Sequence, residues 1–153
     1  MLTEWQLQVV PFRGNQIPDA IRAEIKHANQ AFHWTPEQTE ADFANEQAEY
    51  YILLDGEVCL GYVGLHRVLD EATLNMVYID PELRGQGLGR YLMQFVLDQL
   101  AARQVQHLFL EVREQNLVAQ KLYQAVGFET LIIRPNYYQQ PQDNAVIMQK
   151  KLK

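Results

Sequence analysis

The segment Arg84-Gly85-Gln86-Gly87-Leu88-Gly89-Arg90 constrains this chain more than any other, because it sets three glycines between a strand signal and a long helix signal. Leu74 to Ile79 predicts a strand, closed by Asp80-Pro81. Beyond the glycines, Leu88, Tyr91, Leu92, Phe95, Val96 and Leu100 fall at i, i+3, i+4, i+7, i+8 and i+12, one apolar face of a helix. Glycines at such a junction let successive backbone N–H groups turn inward at a helix N-terminus, where the dipole favours anions. The turn is therefore either a pyrophosphate cradle flanked by Arg84 and Arg90, or a connection without a ligand. A P-loop is excluded by the missing lysine, and a dinucleotide fingerprint by Arg90 and Leu92, which stand where its last glycine would be.

The rest of the chain supplies a mixed α/β fold. Trp5 to Val10 alternates weakly and predicts a strand ended by Pro11 and Gly14. A helical region in two pieces follows from Pro18 to about Gln47, broken near His33-Trp34, with Thr35 as N-cap and Pro36 at the first helical position. Tyr50 to Leu54 and Val58 to Leu65 flank Asp55-Gly56, the signal of a type I′ hairpin. Downstream come a strand over His107 to Val112 and a helix capped by Asn116. That helix places Val118, Leu122, Ala125 and Val126 on one face, and Gly127 stops it. Phe128 to Ile133 and Ala145 to Lys150 close the set as strands, joined by a polar loop through Arg134-Pro135-Asn136-Tyr137-Tyr138. The order β-α-α-β-β-β-α-β-α-β-β predicts a mixed sheet with flanking helices rather than uniform βαβ winding.

A chain of 153 residues suits a single domain, 1–153, with a core that needs no disulfide or metal. With 48% hydrophobic and 21% charged residues, disorder is excluded. The longest apolar run, Tyr50 to Leu54, falls far short of the ~20 residues of a membrane span, and Glu4, Gln6 and Gln8 interrupt any leader-like stretch. The lone Cys59 makes no internal disulfide, so a cytoplasmic location is expected. A net charge of −6 argues against nucleic-acid partners; it either suits a cationic substrate or only keeps the domain soluble. His27, His33, His66 and His107 show no metal-ligand spacing, and no metal is expected.

Taken with Ile79-Asp80-Pro81 before it, the glycine segment resembles the acetyl-CoA loop of the GNAT N-acetyltransferase superfamily. From Glu71 to Leu152 further features fall at matching spacings: Leu110-Glu111-Val112-Arg113, Asn116, Leu122-Tyr123, Gly127-Phe128, Arg134 and Asn136-Tyr137-Tyr138. These are similar to bacterial ribosomal-protein N-terminal alanine acetyltransferases. The first half matches less well, with His33 where a proline is common. Near the end Asp143-Asn144-Ala145 replaces the usual Glu-Asp-Ala, and Pro135 stands where a basic residue is frequent. These departures border the family's acceptor site, so they bear on the substrate and not on the reaction.

The resemblance implies a GNAT fold with a splayed strand pair in the sheet, and acetyl transfer from acetyl-CoA to a primary amine. It assigns acetyl-CoA to Val77, Tyr78 and Ile79, to the loop Arg84, Gly85, Gln86, Gly87, Leu88, Gly89 and Arg90, and to Asn116. Asn116 is equally an N-cap, and the two roles are compatible. Glu111 matches the proton acceptor, where partial burial is expected; otherwise it is a surface glutamate paired, for instance, with Arg113. Tyr123 matches the donor to the leaving thiol, its ring expected to point along the sheet rather than into the core; otherwise it is a packed aromatic. Tyr137 and Tyr138 are placed against the acceptor, where they either bond a peptide backbone or form a packed pair. The expected acceptor is a protein N-terminal α-amine. The alternatives are a small-molecule amine, a lysine side chain, or a CoA-binding module without catalysis.

Overall fold

The change of hydrophobic period near Ala48 separates a helical pair from three consecutive strands, and a computed structural model describing residues 5–152 shows how they assemble. Residues 1–4 and 153 of the expected domain lie outside the described residues. Strand β1 (Leu7–Arg13) is followed by α1 (Asp19–Asn29), α2 (Pro36–Phe43), β2 (Ala48–Asp55), β3 (Val58–Val68) and β4 (Glu71–Ile79). Then come α3 (Leu88–Ala102), β5 (His107–Arg113), α4 (Leu117–Ala125), β6 (Glu129–Gln139) and β7 (Gln142–Lys151). The strands form one mixed sheet in the order β1-β2-β3-β4-β5-β7-β6. Only β4 and β5 run parallel; every other neighbouring pair is antiparallel.

The unbroken apolar run in β2 reflects helices on both faces of the sheet. Tyr51 and Leu53 join a core against α3 and α4, while Tyr50 and Ile52 join a second core against α1 and α2. A polar network under α1 and α2 completes that side. Asn29 Nδ2 donates to Thr39 Oγ1 at 3.0 Å, and the Tyr62 hydroxyl donates to Asn29 Oδ1 at 2.5 Å. Asp42 accepts from the Tyr50 hydroxyl and, at 2.5 Å, from His66 Nε2. Buried polar groups unpaired at such positions would cost about 1–3 kcal/mol each, so the network fixes how the helix pair seats on the sheet. The Thr35 cap forms as expected, its hydroxyl accepting from the Gln38 N–H, with Pro36 in the first turn.

Several local expectations change. Strand β1 runs through Pro11 to Arg13, because an edge strand does not need every backbone donor. Asp55 pairs with Val58, and of the two loop residues only Gly56 has positive φ (61°), the glycine-first arrangement of a type II′ turn. Helix α2 ends at Phe43, short of Gln47. The polar loop expected around Arg134 to Tyr138 belongs to β6, whose pairing with β7 is interrupted between Arg134 and Tyr138. On α4 Val118 is exposed while Tyr123 is buried. No helix among the described residues is long and apolar enough to cross a membrane.

Candidate active site

The parallel ladder between β4 and β5 stops at Leu74 opposite Leu110, although both strands continue. One residue later β4 carries a bulge: Leu74 pairs with Leu65 and Met76 with Gly64, leaving Asn75 as the extra residue. A single extra residue reverses which face each later side chain takes. Ala72 and Leu74 accordingly pack in the core against α3, whereas Met76 and Tyr78 pack on the α1–α2 side. The splayed pair that the resemblance implied is therefore present.

The split opens a cavity of about 730 Å³. Its walls are Leu74 to Val77, Leu110 to Arg113, and Asn116, Ala119 and Tyr123 from the start of α4. Ala31 to Trp34, between α1 and α2, and Tyr137 to Gln140, at the end of β6, close it from either side. The Asp80 N–H bonds back to Leu60 on β3, so the alternation of the ladder turns the backbones of Val77 and Ile79 toward the split. Tyr78 turns its ring away from the split, stacked on Tyr62 at 5.2 Å, and does not line the cavity.

The glycine turn lies past the end of β4, outside the cavity lining. Gly85 and Gly87 have φ of 80° and 85°, left-handed values that a side chain resists. Gly87 is the N-cap of α3 and offers no side-chain acceptor to the first N–H groups. A capping side chain is worth about 1 kcal/mol, whereas each fully buried Leu or Met contributes about 1.5–3 kcal/mol. With Leu88, Leu92, Met93, Val96 and Leu100 all buried, α3 holds without a cap and leaves its first amides open to an anion. Gly89 serves packing instead: a Cβ there would meet Leu122 at 3.4 Å and Ile79 at 3.8 Å. Arg84 folds back, its Nε donating to the Ile79 carbonyl at 2.9 Å; Gln86 and Arg90 are exposed.

Within the cavity, Glu111 is exposed rather than part-buried, and its Oε1 accepts from the Tyr137 hydroxyl at 3.2 Å. Tyr123 is 8% exposed, and its ring meets Phe128 edge-to-face at 6.0 Å. Burial pushes its phenol well above the ordinary value, so it keeps its proton through the neutral range. Tyr138 is pushed up to about 12, chiefly by burial. Tyr137 is also raised, first by its hydrogen bond to Glu111. Asn116, one of the cavity's lining residues, caps α4 through Oδ1, which accepts from the Ala119 N–H at 3.1 Å, and its Nδ2 has no hydrogen-bond partner among the described residues.

Arg113 does not pair with Glu111. Its guanidinium donates to the Pro141 and Gln140 carbonyls at 2.6 and 3.2 Å and lies 4.2 Å from the Tyr138 ring centroid. Arg113 in this role, Gln139, Gln140 and the Ala31–Trp34 wall were not singled out as site residues; for that wall the signals were the helix break at His33, where φ is 64°, and the departure of His33 from the family pattern beside the acceptor site. Cys59 is half-buried, and burial with nearby Glu24 pushes its thiol up to about 11, which leaves it protonated. Among the described residues no group of three or more His, Cys, Asp or Glu side chains is arranged around a common metal position.

Comparison with known proteins adds the family context. The acetyltransferase (GNAT) family model matches residues 18–128. A [ribosomal protein bS18]-alanine N-acetyltransferase of Haemophilus ducreyi is 39% identical over 124 residues, covering 78% of this chain and 86% of that protein. Its counterpart in Escherichia coli is 38% identical over 129 residues, covering 81% and 84%. The crystal structure of the ribosomal-protein-S18-alanine N-acetyltransferase from Escherichia coli superimposes with a TM-score of 0.83 at 30% identity over 95% of each chain.

Proposed function

The chain belongs to the acetyltransferase (GNAT) family and is an acetyl-CoA-dependent N-acetyltransferase, and from that premise we propose that its acceptor is the α-amine of a protein N-terminus. The observation that carries the proposal is the cavity at the β4–β5 split, which an exposed carboxylate and a buried, protonated phenol line together. Relatives that cover about four-fifths of the chain are named for the alanine N-terminus of a ribosomal protein, and such a protein is the preferred acceptor. That acceptor also favours a cytoplasmic enzyme. All strands among the described residues share one sheet, which supports a single domain over 1–153.

Bound acetyl-CoA would supply the activated acetyl group. The open amides of Gly87, Leu88 and Gly89, with Gly85, Gln86 and the arginines Arg84 and Arg90 around them, suit its pyrophosphate. Val77 offers its backbone groups and Ile79 its N–H to the amide-bearing arm, Tyr78 backs that strand, and Asn116 Nδ2, with no partner among the described residues, is a further donor in the lining. As the amine attacks the thioester carbonyl, Glu111 takes the amine's proton, directly or through water. As the C–S bond breaks, Tyr123 donates to the departing thiolate. Tyr138, with Tyr137, walls the acceptor side.

Amine chemistry favours the N-terminus over lysine. At pH 7 an α-amine is about 10–15% neutral and a lysine about 0.04%, a difference worth roughly 3.3 kcal/mol in available nucleophile. A single carboxylate as base suits the acceptor that is already partly neutral. The test is acetylation of peptides with a free Ala or Ser at the first position, read by mass spectrometry for the modified nitrogen. N-terminal acetylation is expected, with N-terminally blocked, lysine-containing peptides far slower at pH 7–7.5. Faster reaction of blocked lysine peptides or of a polyamine would overturn the acceptor and leave the enzyme class intact.

A further inference from the structure

Tyr137 sits on β6, and β7 lies between β6 and the strand that carries Glu111. In register, Glu111 on β5 faces Ile147 on β7, which faces Ile132 on β6. An ordinary β6 residue therefore cannot reach Glu111 without crossing β7. The interruption between Arg134 and Tyr138 is what permits it: pairing with β7 lapses and Asn136 takes a φ of 55°. The Asn136 N–H, unpaired in the ladder, is met by Asn144 Oδ1 at 2.8 Å. Tyr137 is thereby thrown over the sheet and its hydroxyl donates to Glu111 Oε1 at 3.2 Å.

The arm that carries Tyr137 is itself anchored. Arg113, two residues beyond Glu111 on β5, binds the carbonyls of Gln140 and Pro141 and stacks on Tyr138, whose ring meets Tyr137 edge-to-face at 5.1 Å. Glu111, by contrast, is exposed, and Tyr137 is its one side-chain hydrogen-bond partner among the described residues. An exposed glutamate samples many rotamers, and a base effective in only one of them is slowed by the fraction of time spent elsewhere.

We propose that Tyr137 is a positioning residue, whose hydroxyl holds Glu111 Oε1 on its anchored arm and so presents Oε2 to the acceptor amine. The proposal rests on Glu111 being the base. It differs from a peptide-binding role, because the hydroxyl proton is already committed to the carboxylate.

A double-mutant cycle of Tyr137→Phe and Glu111→Gln, with kcat and KM measured on an Ala-first peptide and on acetyl-CoA, tests it. Tyr137→Phe should lower kcat about tenfold and leave both KM values within about twofold. In the Glu111→Gln background the same change should cost nothing further, since the carboxylate it positions is gone. A rise in peptide KM alone, or the same kcat loss in both backgrounds, would overturn positioning and leave Glu111 as base. Near wild-type turnover of Glu111→Gln itself would overturn the base assignment and the positioning role with it.

Discussion

Replacing Tyr123 by Phe removes one hydroxyl and keeps the ring, so its consequences for folding and for catalysis can be separated. The ring is 8% exposed and packed on Phe128, and no hydrogen bond from its hydroxyl is found among the described residues. The substitution therefore breaks no intramolecular bond and should change stability by less than about 1 kcal/mol. Catalysis is different. A phenol near 10 protonates a thiolate near 8.5 at an uphill cost of about 2 kcal/mol, and burial of Tyr123 makes that step steeper. The contribution left to it is a hydrogen bond to sulfur as charge develops, comparable to one oxyanion donor at about 2.7–4 kcal/mol. On that basis kcat should fall about 10²-fold or more, with KM for acetyl-CoA little changed, because the bond strengthens only in the transition state. Steady-state release of free CoA thiol, beside a thermal melt of the same preparation, measures both quantities. Because burial raises the phenol, wild-type kcat should also show no decline from Tyr123 ionisation below about pH 10. Turnover within about threefold of wild type in a folded Tyr123→Phe protein would show that the residue only packs.

Gly87→Val forces a β-branched residue to a φ of 85° and crowds the open amides of α3, so acetyl-CoA affinity by titration calorimetry should drop at least tenfold, about 1.4 kcal/mol. Unchanged affinity in a cooperatively melting variant would remove the cradle. The hydrogen bond to Asp42 raises the His66 pKa in the folded state against the opposing effect of burial, so its stabilisation is complete below about 6.5 and fades as pH climbs through the higher folded value. Urea melts should therefore show wild type exceeding His66→Gln by more at pH 6 than at pH 8.5, and the opposite trend would refute the linkage.

Glu111 and Tyr123 became candidates through the family resemblance, whereas the element order, the Thr35-Pro36 helix start and the glycine stop at Gly127 were legible in the residues themselves. Each depends on interactions within a few positions: a cap three residues away, a period of 3.6 or 2, a φ that glycine tolerates, a motif of fixed spacing. The split of the sheet was different, because it was implied by resemblance and by nothing in the residues of β4 alone. Asn75, polar between Leu74 and Met76, reads from alternation as an ordinary outward strand residue; it becomes a bulge only because Leu65 and Gly64 on β3 take the residues either side of it. The same holds for α4, whose sequence period placed Val118 on the packing face with Leu122, Ala125 and Val126. Its seat against the sheet buries Tyr123 and leaves Val118 in water. Tyr137 reaches Glu111 through a lapse in pairing with β7, and Arg113 turns from its neighbour to a hairpin end 28 residues away. Short-range preferences thus write the elements into the chain. Register is a property of two strands at once, so the cavity, the burial of its phenol and the partner of its carboxylate exist only when the sheet has closed.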